Sequence, residues 1–138
     1  MKIFLSGSKT VKSLPKRLTA LLDTYCEQNC EFFIGDCYGA DILMQKYLHE
    51  KGYTNVTVYV SGSRIRHRIA AFPVKHISVP DSVKGFSRNR QKDIAMANDC
   101  DAAIMLWNGK TRGTCCNIID MQRLNKPCTV IEMKEEEP

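Results

Sequence analysis

Ala102-Ala-Ile-Met-Leu-Trp107, followed by Asn108-Gly-Lys-Thr-Arg-Gly-Thr114, is the stretch that decides the fold. Six apolar residues in unbroken succession lack the alternation of a strand with one wet face. They read as a central parallel strand covered on both sides. The glycine-bearing loop behind them runs directly into a helical pattern. A strand, a tight loop and a helix form the repeating unit of an α/β sheet.

Working outward, the same alternation recurs. Lys2–Leu5 is a β-like run that stops at Ser6-Gly7-Ser8. A helix follows, with Ser13 as its expected cap, Pro15 in its first turn and Leu18, Leu21, Leu22 and Tyr25 on one face. Glu31–Ile34 is the second strand, and Ala40–Lys51 the second helix, with an expected stripe of Ile42, Leu43, Lys46, Tyr47 and Leu48 and Gly52 as a C-cap. Asn55–Val60 is β-branched and reads as the third strand. Residues 61–86 read as a long loop holding one short extended piece at His76-Ile-Ser-Val. Phe86–Asn98 is a helix with Ile94, Met96 and Ala97 inward. After the central run come a helix over Gly113–Leu124, a strand over Pro127–Glu132 and a charged tail over 134–138. Alternation of this kind implies one α/β domain over 1–133, a parallel sheet with helices on both faces.

The composition agrees. The chain has 138 residues, 43% apolar and 25% charged, which suffices for one core. The net charge of +5 is mild and suits an anionic ligand. Seven cysteines, an odd number, with no secretory or membrane-spanning stretch, read as reduced thiols in a cytoplasmic protein. Neither Cys26-x-x-x-Cys30 nor Cys115-Cys116 has the spacing of a zinc site, so no metal and no cofactor is expected.

In an open parallel sheet, ligands bind beyond the carboxyl ends of the strands. Three such ends carry glycine and small polar residues: Ser6-Gly7-Ser8, Gly35-Asp36-Cys37-Tyr38-Gly39-Ala40-Asp41, and Asn108-Gly109-Lys110-Thr111-Arg112-Gly113-Thr114. Glycine lets backbone approach a ligand closely, and free N–H groups at a helix start favour an anion. Lys110 and Arg112 add charge to the third loop, while Asp41 and Thr114 either touch a ligand or cap their helices. The spacing excludes a P-loop, because Gly109-Lys110-Thr111 lacks the earlier glycine, and no Gly-x-Gly-x-x-Gly follows the first strand. Arg88-Asn89-Arg90 opens a helix with Asp93 one turn on. Arginine there opposes the helix dipole, which calls for a ligand or carboxylate partner for Arg88. Arg64, Arg66, His67, Arg68, Lys75 and His76 form a basic segment: a solvated loop, a lid over an anion, or a nucleic-acid contact. No nucleic-acid-binding signature supports the last. Trp107 either stacks on a base or roofs the core.

Gly35-Asp36-x-x-Gly39-Ala40-Asp41, Arg88-Asn89 with Asp93, and Trp107–Thr114 together resemble the SLOG superfamily, in particular its small bacterial and phage members. The resemblance spans nearly the whole chain and is weakest over 61–85. It implies a Rossmann-like five-stranded parallel sheet ordered 3-2-1-4-5, with a pocket for a nucleotide or nucleotide-derived small molecule over the first, second and fourth strand ends. It also implies a homodimer. On this resemblance the site residues are Ser6, Gly7, Ser8, Gly35, Asp36, Gly39, Ala40, Asp41, Arg88, Asn89, Asp93, Trp107, Gly109, Lys110, Arg112, Gly113 and Thr114. LOG-type phosphoribohydrolases of that superfamily carry Gly-Gly-x-Gly-Thr-x-x-Glu, whose glutamate serves cleavage of the N-glycosidic bond. Here Gly113-Thr114 is followed by Cys115, Cys116 and Asn117. An amide is neither base nor nucleophile. The expectation is therefore a binding module. The alternatives are an N-glycosidase using Asp36, Asp41 or Asp93, and a nucleic-acid-binding protein.

Overall fold

The computed structural model describes residues 1–67 and 69–133. Arg68 and the tail at 134–138 lie outside the described residues, so the expectations placed on them are not taken further.

The chain order is β1 (Lys2–Gly7), α1 (Lys16–Glu27), β2 (Glu31–Ile34), α2 (Ala40–Glu50), β3 (Val56–Ser61), β4 (Val74–Ile77), α3 (Gly85–Asp99), β5 (Ala102–Trp107), α4 (Arg112–Arg123) and β6 (Cys128–Glu132). The strands form one sheet in the order β4-β3-β2-β1-β5-β6. Every neighbouring pair is parallel. The fold is thus α/β and Rossmann-like, with six strands among the described residues where five were expected. The five expected strands keep the expected order. The sixth, β4, sits at the edge beside β3, inside the stretch expected to be a long loop. An edge strand has one neighbour and needs no continuous apolar face. Val74-Lys-His-Ile77 is nowhere fully buried, so its strand signal is weak, and the short extended piece expected at His76-Ile-Ser-Val overlaps it at His76 and Ile77.

Successive residues of a strand face opposite sides of the sheet. Ile3 and Leu5 of β1 and Ile104 and Leu106 of β5 therefore join one core, with Leu18 and Leu22 of α1 and Met44 and Leu48 of α2. Phe4, Ala103 and Met105 join the other, with Met96 and Ala97 of α3 and Met121 of α4. The central run is indeed buried on both faces: Ala102 to Leu106 are all buried. Burying each large side chain of this kind stabilises by roughly 1.5–3 kcal/mol.

Several local expectations need correction. Pro15, not Ser13, stands at the start of α1, and its carbonyl accepts from Leu18 and Thr19 N–H. The inward face of α2 is Ala40, Asp41, Met44, Gln45 and Leu48, and Lys46 of the expected stripe is exposed. Spacing alone admits both phases, and the approach of α2 to β1 at Gly7 selects this one. A Cβ on Gly7 would collide with that of Ala40. Ile94 points outward, 36% exposed, because the inward face of α3 is set by Lys92, Asp93, Met96 and Ala97. Among the described residues no helix is long and apolar enough to cross a membrane. All seven cysteines are free thiols.

Candidate functional site

Strand order reverses between β1 and β5, which pair along Ile3–Gly7 and Ala102–Leu106. A crevice opens at such a switch point, beyond the carboxyl ends of the strands. Here it is a cavity of about 390 Å³, walled by the end of β1, the start of α4, the first turns of α3 and the loop after β2.

The β5–α4 loop is held by side chains. Asn108 Oδ1 accepts from the N–H groups of Lys110 and Thr111, both at 2.9 Å. Trp107 Nε1 donates to the Thr111 carbonyl at 3.0 Å. Ser8 Oγ meets Thr111 Oγ1 at 2.7 Å and accepts from Asn108 N–H at 3.1 Å. Thr111 then stands at the helix start with extended backbone and caps nothing with its side chain. The first turn of α4, Arg112-Gly113-Thr114, lines the cavity, and the N–H groups of a first helical turn have no intrahelical acceptor. Lys9 and Arg112 also line it, and neither has a carboxylate partner among the described residues. The Arg112 guanidinium lies 4.0 Å from the Phe86 ring centroid, which fixes one wall by a cation–π contact.

The floor is a buried polar network. Lys92 Nζ donates to Asp93 Oδ1 at 2.6 Å. Asn117 Nδ2 donates to Ser6 Oγ at 3.0 Å and to Asp93 Oδ2 at 3.3 Å. Arg90 donates to Asn117 Oδ1 at 3.1 Å and to Asp120 at 2.6 Å. Asp41 Oδ2 accepts from Cys37 N–H at 3.2 Å. Burial drives the Asp41 pKa up to about 7, against the opposing pull of Lys92. Burial pulls Lys92 down, but Asp93 and Asp41 outweigh it and hold its ammonium above the ordinary value. The cavity thus contains a permanent cation and a carboxyl group that titrates near neutrality.

A second layer supports this floor. Asp36, 1% exposed, accepts from Arg66 N–H at 2.8 Å and from its guanidinium at 3.1 Å, tying the β3–β4 loop down onto the β2 loop. Gln45 donates to the Gly35 carbonyl at 2.7 Å. Gly39 has φ +75°, a conformation L side chains avoid, and its missing Cβ makes room for the Lys9 backbone.

Of the expected site residues, Ser6, Gly7, Asp41, Asn89, Asp93, Arg112, Gly113 and Thr114 line the cavity. Gly35, Asp36, Gly39 and Ala40 lie beneath its wall rather than on it, because α2 packs directly on β1. Ser8, Trp107, Gly109 and Lys110 shape the β5–α4 loop without lining the cavity. Among the described residues Arg88 has no carboxylate partner. It makes long contacts of 3.4 Å to the carbonyls of Pro80 and Val83 and lines a neighbouring pocket.

Lys9, Cys37, Arg66, Phe86, Arg90, Lys92, Thr111 and Asn117 also line the cavity without having been expected as site residues. Lys92 carried a usable signal: helical spacing puts it with Asp93, Met96 and Ala97, a charged pair on an apolar face. Lys9 and Phe86 carried none. The chain matches no family model and no curated protein.

Proposed function

We propose that the protein binds a nucleotide or a nucleotide-derived small molecule in this cavity, as a SLOG-type ligand-binding or sensor domain. The observation that carries the reading is the coincidence of three features. A cavity of about 390 Å³, of the size that takes a small ligand, opens at the switch point. The first turn of α4 faces it. Lys9 and Arg112, two cations without carboxylate partners among the described residues, stand beside that turn. A phosphate sits against the α4 amides, and Asp93 and Asp41 accept from sugar hydroxyls. The homodimer implied by the resemblance belongs to the same proposal. Ile94 and Ile119, exposed on the neighbouring helices α3 and α4, supply apolar surface for it. A reducing, cytoplasmic setting suits the seven free thiols.

Thermal shift against nucleoside monophosphates, cyclic nucleotides and ADP-ribose tests the reading. A ligand at 100 times its Kd stabilises by about 2.7 kcal/mol. Arg112→Ala should weaken that stabilisation. A panel in which no compound moves the midpoint would sink the proposal.

A second reading has one specific observation behind it. Asp41 titrates near 7 in the wall of the cavity, where a general acid or base for N-glycosidic cleavage would stand. Release of free base from a nucleoside monophosphate, lost in Asp41→Asn, is the result this reading requires.

A further inference from the structure

A second, smaller pocket of about 180 Å³ adjoins the main cavity, walled by Ser61, Ser63, Arg64, Arg66, Arg88 and Asn89. Arg66 and Asn89 line both cavities, so the two meet there. Three arginines line this small space. Among the described residues only Arg66 is neutralised, by Asp36 at 3.1 Å. Arg64 makes no hydrogen bond or ion pair among the described residues. Arg88 reaches two backbone carbonyls at 3.4 Å, the long end of the range.

The pocket is built. Gly62 has φ +79°, and a Cβ there would strike the Arg88 guanidinium, so the glycine opens the place that guanidinium occupies. Gly62 is itself fixed, by its N–H on the Ile77 carbonyl and by its carbonyl against His76 Nδ1, both at 2.8 Å. Ser61 Oγ joins β3 to α3, donating to the Asn89 carbonyl and accepting from Lys92 N–H. Arg64 and Arg88, both without a carboxylate partner among the described residues, line one pocket, and an anion between them relieves their mutual repulsion. A pocket of this volume holds an anionic group rather than a base and sugar.

We propose that this pocket is a second anion subsite and that the physiological ligand carries two phosphate groups. One lies against the first turn of α4. The other lies between Arg64 and Arg88, with Asn89 at the junction. The inference rests on the nucleotide reading above and narrows it to bisphosphorylated nucleotides, whether 5′-diphosphates or 3′,5′-bisphosphates.

Calorimetric titration of the full chain with nucleoside 5′-monophosphates and with the matching 5′-diphosphates and 3′,5′-bisphosphates tests it. The wild type should bind one bisphosphorylated compound at least about tenfold tighter than its monophosphate, the scale of one charge-assisted hydrogen bond. Arg64→Ala should remove most of that gain and Arg64→Glu all of it, with monophosphate affinity unchanged. Arg64 is exposed and makes no hydrogen bond or ion pair among the described residues, so both variants should melt with the wild type. Lys12→Ala, an exposed lysine away from both cavities, should bind every compound as the wild type does. Monophosphate binding with no gain from a second phosphate, or equal losses for both compounds in Arg64→Ala, overturns the subsite and leaves the nucleotide reading standing. Failure of every compound overturns both. Tight binding of single-stranded oligonucleotides with no gain among the small ligands also overturns it, in favour of a nucleic-acid surface.

Discussion

Asn117 Nδ2 lies 3.3 Å from Asp93 Oδ2, within a buried amide that also donates to Ser6 and accepts from Arg90. Both ends of the Asn117 side chain are in use, and the residue is 1% exposed. A carboxylate there would lose both donor bonds and face Asp93 with like charge. The asparagine is therefore a structural bridge between β1, α3 and α4. Asn117→Asp should destabilise the fold by about 2–4 kcal/mol, the range for breaking a buried, partly charged network. Urea unfolding measures this. A loss below half a kcal/mol would show that the bridge carries no load.

Asp41 makes stability depend on pH in an unusual direction. Its folded pKa of about 7 lies above the ordinary 3.8. Between those values the native state holds a proton that the unfolded chain has released. Stability therefore falls as pH rises from about 4 to about 7 and levels off above that. Three pKa units correspond to a contribution on the order of 4 kcal/mol. Asp41→Asn should flatten this part of the profile, as read by denaturant midpoints at several pH values. An unchanged slope in the variant would assign the dependence to another group.

Gly35 and Gly113 should respond oppositely to alanine. A Cβ at Gly35 would stand 2.6 Å from Asp41 Oδ2 and 3.0 Å from Lys92 Nζ, displacing the buried pair. Gly35→Ala should cost about 1–3 kcal/mol, as overpacked sites do. A Cβ at Gly113 meets nothing within 4 Å. Gly113→Ala should leave thermal stability unchanged or slightly raised. If the cavity takes a phosphate at the α4 turn, the same variant should weaken nucleotide binding. Melting and titration of the two variants separate the effects.

The Asp36–Arg66 pair ties the β3–β4 loop to the site. Asp36→Ala leaves Arg66 without its carboxylate and the loop without its anchor. Limited proteolysis within residues 61–73 should speed up severalfold, with a stability loss of about 1–3 kcal/mol. Equal cleavage rates in variant and wild type would show that other contacts hold the loop.

Much of the fold was legible because each element carries a local cause. The apolar run at 102–107 has no soluble alternative to burial on both faces, and Gly52, with φ +77°, ends α2 as glycine does. What failed locally was phase and edge. The inward face of α2 is shifted from the expected stripe, with Leu43, Tyr47 and Leu48 against the core and Lys46 exposed, because Ile42-Leu-Met44 allows more than one phase, and β4 coincides with the expected extended piece only at His76 and Ile77, because an exposed edge strand needs little pattern.

The strand–helix alternation, the glycine loops at the strand ends and the asparagine at 117 can all be read from the sequence alone. Those are properties of short stretches, governed by backbone sterics and local polarity. Folding alone brings Lys9, Arg66 and the α3 residues Arg90 and Lys92 to one cavity, and lets Asn117 join Ser6 to Asp93 across 111 and 24 positions of chain. Burial and charge pairing act through space, so spacing along the chain encodes them only where the partners share one helix face, as Lys92 and Asp93 do.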